Sequence, residues 1–243
     1  MQSLKSFAIA ALLGTVALPA WAQDAQVAVA ANFTAAAEEI GAAFTAETGH
    51  TVAFSFGATG ALYTQVTQGA PFDAFLSADA ATPARMATEG LGEADSVFSY
   101  AIGKLVLFST IDGLVTGPES LEGDFAHIAI AEPAAAPYGG AAIETLDALE
   151  LDLSDKFVVG QNIAQTYQFV DTANAELGFV ALSQVIERED GSRWVVDDAL
   201  YSPITQDAIL LSGDNEAAAA FLDFLKSDTG IAIIESYGYA VAD

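Results

Sequence analysis

The stretch that most constrains what this chain can fold into is residues 27–40, VAVAANFTAAAEEI. Val27 and Val29, with small residues between them, form a short apolar run suited to a buried strand, and a helix-period pattern begins at Asn32. Phe33, Ala36, Ala37, Ile40 and Phe44 recur at three- and four-residue steps, so one apolar stripe faces a core until Gly49 stops the helix. A strand that runs straight into a helix N-terminus leaves backbone N–H groups without intrahelical acceptors at the positive pole of the helix dipole. That combination is a seat for an anion. Asn32 stands at its mouth.

The same construction follows at once. Residues 51–56, TVAFSF, alternate as a strand does, and GATG at 57–60 turns the chain into a second helix, ALYTQVTQ, that ends at Gly69. Thr59 occupies this second mouth. If the two strands are neighbours in a parallel sheet, both helix N-termini open on its carboxyl edge, where open α/β sheets bind ligands. The simpler alternative is that Asn32 and Thr59 are only N-caps. Their recurrence, with glycines clearing space beside one of them, favours a site.

The remainder of the chain repeats the strand and helix alternation. Residues 72–78 read as a strand, 79–89 as a helix and 101–109 as a strand that leaves the first unit. Residues 127–131 read as a strand, 133–140 as a turn-rich loop, 141–149 as a helix, 156–159 as a strand, 163–172 as a helix and 177–182 as a buried strand. After one more strand at 193–196, residues 203–211 return the chain to the first unit, which two apolar-striped helices at 216–226 and 231–237 complete. The resulting organisation is a signal peptide at 1–22, a first lobe from 23–102 and 206–243, and a second lobe from 103–205. Two crossings make a two-strand hinge, and a cleft between lobes is the expected place for a ligand.

The leader has one charge, Lys5, before Asp24, an apolar core over 7–18, and Ala20-Trp21-Ala22 with small residues where a signal peptidase cuts. Export to the periplasm follows. The mature chain keeps only Arg85, Lys104, Lys156, Arg188, Arg193 and Lys226 against 33 acidic residues, and the whole chain carries a net charge of −26. Such a surface repels nucleic acid and anionic lipid. With no cysteine and only His50 and His127, thiolate nucleophiles and Cys-based metal sites are excluded, and neither histidine has the context of a catalytic triad. The acidic pairs Glu38-Glu39, Glu187-Glu189 and Asp197-Asp198 are near neighbours in sequence and read as solvated charge, not as paired catalytic carboxylates.

The second lobe repeats the device of the first: APYGG at 136–140 precedes one helix and GQNI at 160–163 precedes another. Four mouths can then face one cleft. In order along the chain, AANFT, SFGATGAL, GAPFDAFLSAD, EPAAAPYG, and GQNIAQTYQFV followed by NAELGFVALSQV resemble the periplasmic molybdate-binding proteins of ABC importers. The resemblance runs from Val27 to the YGY at 237–239. It implies a type II periplasmic-binding-protein fold of class α/β, each lobe a mixed, mostly parallel sheet flanked by helices with the ligand in the cleft. It further implies oxyanion contacts from Ala31, Asn32, Thr59, Tyr138 and Ile163. Asn32 and Thr59 would give side-chain and main-chain donors, while Tyr138 and Ile163 would give main-chain N–H groups. Some members add a tyrosine hydroxyl where Ala181 stands here.

The implied function is capture of molybdate, and of tungstate, by a monomeric receptor that delivers it to a membrane permease, with no catalysis and no cofactor. The only metal is the molybdate oxyanion itself, held through Asn32, Thr59, Tyr138 and Ile163. A receptor for sulfate or another tetrahedral oxyanion is the alternative within the class. An exported α/β hydrolase is the alternative outside it, and no GxSxG elbow supports that one.

Overall fold

The computed structural model describes residues 24–241. The leader expected at 1–22 lies outside the described residues. In the first sheet, β1 (Ala25–Ala30) lies between β2 (Val52–Gly57) and β3 (Ala74–Leu76) and is parallel to both. The chain then forms β4 (Phe98–Gly103) at the edge of the same sheet, and after Lys104 alone it becomes β5 (Leu105–Ser109) in the second. The single strand expected at 101–109 is therefore two strands in two sheets. Each finds a different set of ladder partners on either side of Lys104.

The second sheet repeats the first. β6 (Ile128–Ala131) is parallel to β7 (Phe157–Gly160) and to β8 (Leu177–Ala181), and β9 (Ser192–Val195) pairs with β5 at the far edge. β10 (Ile204–Leu210) makes the return crossing and inserts between β3 and β4. The orders are β2-β1-β3-β10-β4 and β7-β6-β8-β5-β9. In each sheet four strands run one way, and the reversed strand is the one that has just crossed between sheets. Opposite Gln206 the β4–β10 ladder has a bulge that leaves Tyr100 without a partner between Ser99 and Ala101.

Helices α1 (Thr34–Thr48), α2 (Thr59–Thr67), α3 (Ala81–Thr88), α4 (Pro137–Ala148), α5 (Ile163–Asp171), α6 (Glu216–Leu225) and α7 (Asp228–Ser236) flank the sheets. The apolar stripe of α1 is fully buried, as its spacing requires, and Gly49 ends the helix in the left-handed conformation at φ 79°. α4 starts at Pro137, inside the segment expected to be a loop. Proline is well suited to the first helical turn because its missing N–H would have no helical acceptor there. Among the described residues no helix is long and apolar enough to cross a membrane.

Phe44 sits at the centre of the first core, edge-on to Phe221 at 5.5 Å and to Phe224 at 5.6 Å. Replacing it with alanine removes a buried ring from a site bounded by two helices and a sheet. Phe44→Ala is expected to lower unfolding stability by about 3–5 kcal/mol in urea titration.

Candidate anion-binding site

The parallel strands β1, β2, β6 and β7 end on the cleft between the sheets, and the chain after each of them turns into a helix. A 3-10 turn, Ala31–Phe33, leads from β1 into α1, while α2, α4 and α5 begin at Thr59, Pro137 and Ile163. Asn32, Thr59, Tyr138 and Ile163 therefore all lie in first turns, where the helix offers no acceptor to the backbone N–H. Among the described residues none of these four N–H groups is bonded to an acceptor elsewhere in the fold. All five residues anticipated from sequence, Ala31 included, line one small chamber. Its polar wall is buried: Asn32 is 4%, Thr59 2%, Tyr138 2% and Ile163 3% exposed.

The remaining wall is Ala30, Gly57, Ala58, Ala78, Ala136, Pro137 and Asn162, so no ionisable carboxylate, ammonium, guanidinium or imidazole lines the chamber. His50 lies beside Asp24 on the surface, and His127 heads β6 with its N–H bonded to Glu176; both are outside the chamber wall. Small side chains bring the backbone close. Asn162 is the lining residue that sequence reasoning did not single out. Its Oδ1 caps α5 by accepting from Gln165 N–H at 2.9 Å, and an asparagine directly before a helix was the available signal.

Neither Asn32 nor Thr59 acts as an N-cap: the residues preceding the two helical turns are Ala30 and Ala58, and neither turn has a side-chain cap. Thr59 Oγ1 accepts from Ala78 N–H at 3.0 Å, which leaves its hydroxyl hydrogen available to a ligand. Asn32 differs from expectation. Its Nδ2 donates to Gln206 Oε1 at 2.8 Å and to Tyr239 Oη at 3.0 Å, and neither partner lines the chamber. Both amide hydrogens are thus used behind the site, which leaves the main-chain N–H as the free donor of Asn32. The Tyr138 side chain also points to the rear, where its hydroxyl accepts from Gln206 Nε2 at 3.4 Å. A Cβ on Gly103 would overlap that hydroxyl, so the last residue of β4 has to be glycine-sized.

The glycines at the mouths have packing roles. Gly60 N–H donates to Ala135 O at 2.9 Å, across the cleft, and a Cβ there would lie 3.2 Å from Ala135 Cα. Gly139 packs against the Ala131 carbonyl at the end of β6, Gly57 lies against Leu62, and Gly140 has open space. Burial pushes the Tyr138 and Tyr100 hydroxyls well above the ordinary tyrosine range, with nearby tyrosines adding to the effect. Tyr239 is raised by the same burial. All three stay protonated and neutral.

A clamp of two mixed sheets that meet around a small, donor-lined chamber defines a receptor for a small solute. The chain matches the family model described as bacterial extracellular solute-binding protein over residues 25–240, and it belongs to that family. It is 51% identical over 244 residues to the molybdate-binding protein ModA of Rhodobacter capsulatus, covering 98% of this chain and 97% of that one. It is 47% identical to ModA of Azotobacter vinelandii, covering 98% of each. Among solved structures, the Azotobacter vinelandii periplasmic molybdate-binding protein superposes with a TM-score of 0.88 at 35% identity, over 90% of this chain and 100% of that one.

Thr59→Ala removes a buried hydroxyl donor from the site and is expected to weaken oxyanion binding by roughly ten- to a hundredfold in calorimetry, while Ile163→Val keeps the main-chain donor and leaves affinity within about twofold. Because the raised tyrosines stay neutral and the chamber has no other titratable side chain, affinity for a fully ionised oxyanion is expected to be flat between about pH 6 and 9.

Proposed function

We propose that the protein is a periplasmic receptor that captures molybdate in the cleft and delivers it to the membrane permease of an ABC importer. The observation that carries this reading is a chamber whose polar groups toward the ligand are neutral donors supplied by both lobes, with no carboxylate in its wall. The names of the two curated relatives point to the same anion. Residues Ala31, Asn32, Thr59, Tyr138 and Ile163 form the contact set, with Asn162 beside them. The protein acts as a monomer without catalysis or cofactor, and the metal it handles is its cargo.

Selectivity follows from the donor set. Phosphate near neutral pH still carries a proton and needs an acceptor for it, and a wall without Asp or Glu leaves that hydroxyl facing donors. Sulfate has no such proton and differs only in size, so its shorter bonds do not reach donors spaced for the larger anion. Tungstate, nearly the size of molybdate, fits the same spacing. Competition calorimetry is expected to rank molybdate and tungstate together, sulfate well below them and phosphate lowest. Equal competition by sulfate would make the protein a general oxyanion receptor, and tight phosphate binding would overturn a donors-only site.

Charge sets the kinetics in an unusual direction. The protein carries a net charge of −26, so a dianion approaching the cleft is repelled over distances set by screening. Stopped-flow association with molybdate is expected to quicken several-fold between about 0.01 and 0.15 M salt. Slowing with salt would point to a cationic entrance that the chamber wall lacks.

A further inference from the structure

The chamber is bracketed by two hydrogen bonds that cross the cleft. At the Thr59 end, Gly60 N–H donates to Ala135 O. At the Asn32 end the crossing is made by a side chain: Ser183 Oγ donates to Asn32 O at 2.9 Å. Ser183 belongs to the second lobe, on a 3-10 turn, Leu182–Gln184, that leaves β8. The next residue fixes that turn. Gln184 Oε1 accepts from Ala181 N–H at 3.0 Å, and its Nε2 donates to Ile163 O at 3.1 Å. One short turn thus holds a chamber residue of its own lobe through Gln184 and a chamber residue of the other lobe through Ser183.

The first lobe meets Ser183 with a second partner. Tyr239 lies in the C-terminal segment, which Ala240 ties to Ile102 of β4 by two backbone hydrogen bonds of 2.7 and 3.0 Å. Its hydroxyl accepts from Asn32 Nδ2 at 3.0 Å and lies within donating distance of two acceptors, Asn32 O at 2.8 Å in its own lobe and Ser183 Oγ at 2.9 Å. Tyr239 O–H donates either to Asn32 O within the first lobe or to Ser183 Oγ, and the second choice closes a ring: Asn32 Nδ2–H to Tyr239 Oη, Tyr239 O–H to Ser183 Oγ, Ser183 O–H to Asn32 O. Each hydroxyl then donates once and accepts once, and hydrogen bonds in such rings polarise one another. Two ring members belong to the first lobe and come with it. Ser183 completes the ring when the lobes meet.

We propose that Ser183 is the latch of the closed protein, a positioning residue that fixes the lobes together behind Asn32 and slows release of the anion without touching it. The inference rests on the oxyanion reading of the chamber and adds to it the residue that holds closure. Removing a latch that forms after the ligand has entered leaves encounter alone and accelerates escape.

The test is stopped-flow dissociation of molybdate from the full mature protein, with association rates and unliganded thermal stability measured on the same variants. Ser183→Ala is expected to raise the dissociation rate roughly 3- to 30-fold, to leave association within about twofold, and to leave unliganded stability unchanged. Ser183→Thr retains the hydroxyl and is expected to recover most of the slow release. Tyr239→Phe also breaks the ring, and Ser183→Ala with Tyr239→Phe is expected to fall short of the product of the two single effects because both act on one cycle. A Ser183→Ala protein that releases molybdate at the wild-type rate, or that loses affinity through association alone, overturns the latch and leaves the oxyanion reading intact. A wild-type protein that gives no heat with molybdate overturns both.

Discussion

An ion with two negative charges leaves water only if something replaces its hydration, and the chamber of this protein offers no countercharge. Burying an isolated ion costs far more than a folded domain's whole stability, so its every lone pair has to meet a fixed dipole. First-turn N–H groups are such dipoles: they point along the helix axis, they lack an acceptor within the helix, and the helix dipole reinforces them. One helix end supplies too few. The duplicated sheet order brings four strand-to-helix junctions to one cleft, two from each side. Small residues between them let the backbones converge. The fold brings the first turns of four helices to one chamber.

Behind the donors lies a second polar layer with the opposite requirement, complete internal satisfaction. Gln206 is fully buried on the returning strand, where its Oε1 accepts from Asn32 Nδ2 and from Tyr100 Oη at 3.1 Å while its Nε2 reaches Tyr138. A bulge at Tyr100 and a glycine at 103 make the room. No buried side-chain nitrogen or oxygen among the described residues is left without a partner. Because the three tyrosines stay protonated, the donors and acceptors of this layer do not change with pH in the ordinary range. It joins the anion mouths of both lobes to β4 and β10, the strands beside the two crossings.

Much of this was legible in the sequence because it depends on local rules. Hydrophobic period located the junction at Asn32 and the stripe that buries Phe44, repetition of the strand-to-helix turn located Thr59, and Tyr138 and Ile163 came from the family resemblance. What escaped depends on contacts distant in sequence. Gln206 and Tyr239 are 174 and 207 residues from Asn32, and nothing in the pattern around any of the three indicates that they meet. The same distance explains why the Asn32 amide, a donor candidate by residue type, is engaged at the rear. Gly60 was read as clearance for an anion because the partner backbone at Ala135 belongs to the other lobe. Pro137 in a glycine-rich segment reads as loop punctuation, although proline is equally at home in a first helical turn.

A site whose donors are divided between lobes, as proposed, has one direct physical consequence: binding energy is realised only when the lobes come together, so ligand and closure are linked. Solution scattering during a molybdate titration of the mature protein measures that linkage on the molecule itself. The radius of gyration is expected to fall as molybdate is added and to level off at one equivalent. An unchanged radius in a sample that calorimetry shows to be saturated would mean that one lobe alone holds the anion, contrary to a site built from both.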